Sequence, residues 1–85
     1  MLYLYALVED TAALPDELLS LERVDGIGAV VGAIDGEIAP SEDAVLRHAR
    51  VVEAVAALNA AVLPVRFGRG FAGRAELRQA IRDHA

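Results

Sequence analysis

The chain has 85 residues, of which 55% are hydrophobic and 25% charged, and its formal net charge is −5. This length accommodates one small domain, residues 1–85, and the composition is typical of a globular protein. There is no cysteine, which excludes disulfides and thiolate metal sites, and we expect no cofactor. An acidic chain with only two tyrosines and two phenylalanines is unlike a protein that binds nucleic acid.

Charge is distributed unevenly along the chain. Residues 1–43 hold ten acids and only Arg23, whereas residues 44–85 hold seven arginines and three acids, so the two halves carry −9 and +4. A chain polarised in this way suits docking on another protein or on a second copy of itself. Homo-oligomers are therefore among the expected partners.

The first predicted element is a buried strand over residues 2–8. Strict alternation places Leu2, Leu4, Ala6 and Val8 on one face and Tyr3, Tyr5 and Leu7 on the other. The strand stops at Glu9-Asp10 and has no positive segment before it in this sequence, so we expect it to be neither a membrane span nor a signal peptide. We expect a cytoplasmic protein without a membrane partner.

A β-hairpin is predicted next, because Asp25-Gly26 separates apolar runs over residues 18–24 and 27–34. The alternative is a helical turn that begins at Pro15. Asp35-Gly36 is predicted to close the second strand of the hairpin.

A helix is predicted to begin at Ser41, which caps its N-terminus, with two acids in the first turn. It is predicted to run to about Leu58, with Asn59 as its end signal. The residues predicted to face the core are Val45, Ala49, Val52, Val55 and Ala56.

The last strand is predicted over residues 62–67, at a sheet edge because Pro64 lacks an N–H. A glycine-rich loop, 68–73, and a helix, 74–84, follow. The fold class is α+β: a ferredoxin-like variant with a mainly antiparallel four-stranded sheet, in the order β-β-β-α-β-α, and helices on one face.

The loop Gly68-Arg69-Gly70-Phe71-Ala72-Gly73 satisfies G-x-G-x-x-G between a strand and a helix, which is the pattern of a dinucleotide-binding turn. The chain ends 12 residues after Gly73, however, and lacks the further acidic strand of that fold. A flexible connection is the favoured interpretation.

His48 is the main candidate for acid–base chemistry, with Glu53 as its partner. As a general base His48 would need a nucleophile or an orienting acid, and Ser41 is a helix cap about two turns away, so a buried or interface histidine that bonds a backbone group is favoured. The acids Glu9-Asp10, Asp35/Glu37 and Glu42/Asp43 lack the alternation of a calcium loop. No catalytic or metal-binding residue is therefore predicted.

Partner binding is predicted instead for exposed arginines and for tyrosines on an uncovered sheet face. Arg74, Arg78 and Arg82 recur every four residues on the last helix. The predicted partner-binding residues are Tyr3, Tyr5, Arg66, Arg74, Arg78 and Arg82. Arg66 is expected to bond backbone carbonyls or an acid, and the tyrosine face is expected to support self-association.

Three stretches resemble the N-terminal domain of the gas vesicle protein L/F family (GvpL/GvpF). They are a YLYA strand at residues 3–6, an H-x-R-V-x-E helix at 48–53, and LPxRFG at 63–68. The resemblance covers nearly the whole chain and only the N-terminal part of a usual family member. Two features depart from it: the stretch after RFG is basic here, and these 85 residues hold no counterpart of the family's second domain, as expected either of a fragment or of a naturally short relative.

The resemblance implies a non-enzymatic accessory or minor structural protein of gas vesicles, which helps to nucleate or assemble the shell. Its implied partners are the shell-forming protein and other gas vesicle accessory proteins. The alternative is a small ferredoxin-like domain that binds an anion through the Gly68–Gly73 loop. A third, enzymatic interpretation rests on His48 and Glu53.

Overall fold

The computed structural model describes residues 1–34 and 40–83. Its elements are β1 (Leu2–Glu9), β2 (Leu19–Val24), β3 (Ile27–Ala33), α1 (Glu42–Leu58), β4 (Val62–Pro64), β5 (Gly70–Phe71) and α2 (Arg74–Asp83). The predicted α+β class is confirmed, with one short strand added. The predicted close of β3 at Asp35-Gly36 lies outside the described residues.

All strand pairs in the sheet are antiparallel, and the strand order is β2-β3-β1-β4. The short β5 also pairs with β1, near its start, where Leu2 lies opposite Phe71. β4 lies at the edge, as Pro64 predicted, but it ends at Pro64 and does not continue to Phe67. A proline at an edge costs no ladder hydrogen bond to a further strand.

The β2–β3 hairpin turns at Asp25-Gly26, as predicted. Asp25 has φ 50° and Gly26 has φ 83°, the pair of positive angles that the tight turn requires. The alternative helical turn at Pro15 is wrong, because residues 15–18 form a bend and a turn. Asp16 Oδ1 accepts a hydrogen bond from the Leu18 amide at 2.6 Å, which shapes that turn.

A β-bulge in β1 overturns the predicted alternation of its side chains. Leu4 pairs with Val31 and Ala6 pairs with Val30, so Tyr5 is an extra residue in the strand. One inserted residue exchanges the faces of all residues that follow it. As a result Val8 packs with the tyrosines, and Leu7 packs with Leu4 on the opposite face.

α1 begins and ends where the sequence predicts. The Ser41 hydroxyl accepts a hydrogen bond from the Ala44 amide at 3.1 Å, and Asn59 follows the last helical residue. The predicted inward face is wrong except for Val55. The buried residues are His48, Val51 and Val55, whereas Val45 is 46% exposed.

The two helices cover opposite faces of the sheet, which corrects the prediction of helices on one face. Val51 and Val55 of α1 pack on the face that carries Tyr3 and Tyr5. Leu77 and Ile81 of α2 pack on the other face. The predicted uncovered tyrosine face is also wrong: Tyr3 is 4% exposed and Tyr5 is 5% exposed.

Candidate functional site

The hydroxyl of Tyr3 joins three parts of the chain. It accepts a hydrogen bond from the Gly68 amide at 3.0 Å and lies 2.8 Å from His48 Nδ1. Because the amide is a donor, the hydroxyl proton is free to be donated to the imidazole. β1, α1 and the loop after β4 therefore meet at this one oxygen atom.

His48 completes the connection on its other side. Its Nε2 lies 2.7 Å from the carbonyl oxygen of Val65. A carbonyl only accepts, so the imidazole proton is assigned to Nε2, and Nδ1 accepts from Tyr3. This confirms the favoured interpretation of His48 as a buried histidine that bonds a backbone group. Glu53 is exposed on the same helix, and no bond joins the two.

Aromatic rings surround these hydrogen bonds. The Tyr3 ring centroid lies 4.7 Å from that of Tyr5 and 6.1 Å from that of Phe67, and the Phe67 ring meets His48 edge-on at 5.9 Å. Such tilted and edge-on pairs are the favoured aromatic arrangements. We call Tyr3, Tyr5, His48 and Phe67 the tyrosine–histidine cluster.

Burial also affects the acidity of Tyr3. Desolvation raises the pKa of its hydroxyl above the ordinary value of 10.0, the Gly68 amide opposes this rise, and Tyr5 adds to it. Removal from water disfavours the charged phenolate. Tyr3 therefore keeps the proton that it shares with His48 at neutral pH.

The cluster fixes the loop on both sides of Arg66. Val65 is bonded by His48 before it, and Phe67 and Gly68 are held by the cluster after it. The Arg66 side chain is exposed and makes no hydrogen bond or ion pair with residues 1–34 or 40–83. The expected anchoring of the loop by Arg66 thus falls instead to Tyr3 and His48.

The arginines of α2 lie near the hairpin. Arg74 pairs with Glu22 at 2.7 Å, and Arg82 pairs with Asp25 at 3.2 Å. Arg78, between them, is half-buried. Two members of the predicted partner-binding row are therefore engaged within the chain, although both remain partly exposed.

The glycine-rich loop does not form an open anion cradle. The Gly68 amide is bonded to Tyr3, and Gly70 pairs with Tyr3 as part of β5. At the start of α2, Glu76 Oε2 accepts from the Ala72 amide at 3.1 Å, so a carboxylate of the chain already occupies this helix end. Nothing in this geometry favours the anion-binding alternative.

A metal centre and a membrane-spanning helix are two further features that would bear on function. Within residues 1–34 and 40–83, no three acids or histidines come together as potential metal ligands; Asp35 and Glu37 lie outside that part. Neither α1 nor α2 has the length and hydropathy needed to cross a bilayer.

Sequence reasoning missed the convergence of Tyr3, His48 and the loop. The available signal was that each of the three motifs contributes one polar group with no obvious surface role: a strand tyrosine, a helix histidine and a glycine amide. Their pairing needed the three-dimensional order of β1 between β3 and β4.

Comparison with known proteins agrees with the resemblance carried by these motifs. The family described as "Gas vesicle synthesis protein GvpL/GvpF" matches residues 1–85. The comparisons with curated proteins and with solved structures gave no significant match.

Proposed function

The chain belongs to the gas vesicle synthesis protein GvpL/GvpF family, and from this we propose that it is a non-enzymatic accessory or minor structural component that helps to nucleate or assemble the gas vesicle shell by protein–protein contact. Its proposed partners are the shell-forming protein and other gas vesicle accessory proteins, and its proposed location is the gas vesicle in the cytoplasm. The family match over residues 1–85 carries this proposal.

The geometry supports Arg66 as a contact residue. Its backbone is held from both sides by the tyrosine–histidine cluster while its side chain faces solvent. A guanidinium offers a planar set of donors that fits a carboxylate. Presenting it on a pre-ordered loop lowers the entropy lost on binding.

The other predicted partner-binding residues take different parts in this proposal. Tyr3 and Tyr5 act indirectly, because they are buried and hold the loop. Arg74 and Arg82 brace α2 against the hairpin, and Arg78 between them adds positive charge to that side. Partner contact therefore centres on Arg66.

A pull-down against the shell-forming subunit, under conditions that keep that subunit in solution, tests the proposal. Wild type should capture the subunit, Arg66→Ala should capture at least about tenfold less, in the range of an interface hot spot, and Arg66→Lys should fall between them. Arg50→Ala is the matched control, since Arg50 is an exposed arginine on α1. Failure of wild type to capture any subunit overturns the proposed function. Equal capture by Arg66→Ala overturns only the assignment of the contact residue.

A further inference from the structure

Leu18 is the most exposed large hydrophobic residue in the described part of the chain, at 73%. It lies in the loop between β1 and β2, where its amide is bonded to Asp16 Oδ1 at 2.6 Å and the Leu19 amide approaches the Asp16 carbonyl at 3.4 Å. Glu17 beside it is also exposed. This turn presents a bulky apolar side chain next to carboxylates in a conformation that is already ordered, which favours insertion into a partner.

A pocket with a mostly apolar lining, which suits a side chain such as leucine, lies on the face of the sheet covered by α2. Its volume is about 270 Å³, just below the range of about 300–1,000 Å³ that small-molecule sites occupy. Apart from Arg69, its lining is apolar: Leu4, Leu7, Ile27, Val65, Phe71, Ala80 and Ile81. A pocket of this size and lining fits an aliphatic side chain.

Arg69 gives the pocket a preference for an acidic neighbour of that side chain. Its guanidinium lies 6.0 Å from the centroid of the Phe71 ring. Within residues 1–34 and 40–83 it has no ion-pair partner, unlike Arg74 and Arg82. A carboxylate that arrives with an apolar side chain would pair with Arg69 at a partly desolvated rim, where charges attract more strongly than in water.

We propose that this pocket takes Leu18 of a second copy of the chain, with Glu17 of that copy paired to Arg69. Leu18 and Glu17 belong to the half of the chain that carries −9, and Arg69 belongs to the half that carries +4, so the two surfaces are complementary in charge as well as in polarity. Reciprocal insertion gives a two-fold dimer, and one-way insertion gives a row of copies. The contact is independent of the gas vesicle function proposed above.

Sedimentation velocity of the purified chain, from low to high micromolar protein, tests the contact. Wild type should show a sedimentation coefficient that rises with concentration. Leu18→Ser and Arg69→Glu should each weaken association at least tenfold, whereas Leu46→Ser, which removes another exposed leucine, should behave as wild type. Far-UV circular dichroism verifies that each variant is folded. Wild type that stays monomeric overturns the contact, and leaves the proposed function standing because no gas vesicle protein is present.

Mixing the variants separates this contact from other modes of association. Glu17→Arg and Arg69→Glu each place like charges at the contact, whereas an equimolar mixture of the two variants pairs opposite charges at every contact, so the mixture should associate more tightly than either variant alone. Glu17→Arg should weaken association, and combining it with Arg69→Glu in one chain should restore it. A mixture that stays monomeric, or a charge reversal without rescue, overturns the proposal.

Discussion

The Tyr3 hydroxyl bonds both the Gly68 amide and His48, so Tyr3→Phe leaves the part-buried Gly68 amide and the buried His48 ring without their partner. We expect a loss of about 1–3 kcal/mol in the free energy of unfolding, the usual cost of unsatisfied buried groups. Tyr5→Phe is the matched control, because Tyr5 is equally buried and its hydroxyl has no hydrogen-bond partner within residues 1–34 and 40–83. Urea unfolding at neutral pH measures the free energy of unfolding of both variants. Equal losses in Tyr3→Phe and Tyr5→Phe would contradict the role given to the Tyr3 hydroxyl.

The raised pKa of Tyr3 predicts a loss of stability in alkali. Its hydroxyl keeps the proton in the folded chain to a higher pH than in the unfolded chain, whose tyrosine titrates near 10.0. Unfolding then releases a proton. The stability that the protonated Tyr3 hydroxyl contributes is therefore fully present below about pH 9 and is lost as the pH rises through the folded pKa. The stability gap between wild type and Tyr3→Phe should therefore narrow above pH 9. Urea midpoints over pH 7–11 measure it, and a constant gap would refute the linkage.

At the scale of the element, α1 offers a direct test of which side faces the core. Val55 is fully buried, whereas Val45 on the same helix is 46% exposed. Val55→Ala should cost about 1–3 kcal/mol through lost burial and a residual cavity, and Val45→Ala should stay within about 0.5 kcal/mol. The same chemical change is made in the same helix, so helix propensity cancels. Similar losses from thermal or urea unfolding would show that the predicted inward face was right after all.

Local chemistry accounts for the elements that the sequence predicted well. The Asp25-Gly26 turn and the Ser41 cap depend on bonds and angles within a few residues. Their positions can therefore be read from neighbouring residues alone. The same holds for the edge position of β4, because Pro64 lacks the backbone N–H that a central strand needs for its ladder.

Relations between distant residues account for the errors. α1 is rich in alanine and valine, so it has apolar residues on two sides and the periodicity does not choose between them. The bulge at Tyr5 exists only in the pairing of β1 with β3. Packing of Leu77 and ion pairs to the hairpin hold α2 on its side of the sheet. These contacts join α2 to residues that are distant from it in sequence.

At the scale of the molecule, residues 1–34 and 40–83 form one sheet with a separate apolar cluster on each face. Tyr3, Tyr5, Val51 and Val55 belong to one cluster, and Leu77 belongs to the other. β1 and β3 contribute side chains to both clusters. Loss of either cluster therefore removes support from the same two strands, and we expect the two clusters to unfold together.

Leu77→Ala tests this coupling. Leu77 is fully buried beneath the sheet on the side away from the tyrosines, and its truncation should cost about 2–5 kcal/mol. Both tyrosines lie on the opposite face, so their fluorescence reports the other cluster. If the sheet unfolds as one unit, Leu77→Ala should lower the urea midpoint seen by tyrosine fluorescence and by far-UV circular dichroism equally. Leu63→Ala, at a leucine that is 63% exposed, should leave both midpoints unchanged. A tyrosine midpoint that does not move while the helix signal does would show that the two faces are independent, and that β1 and β3 do not transmit stability between them.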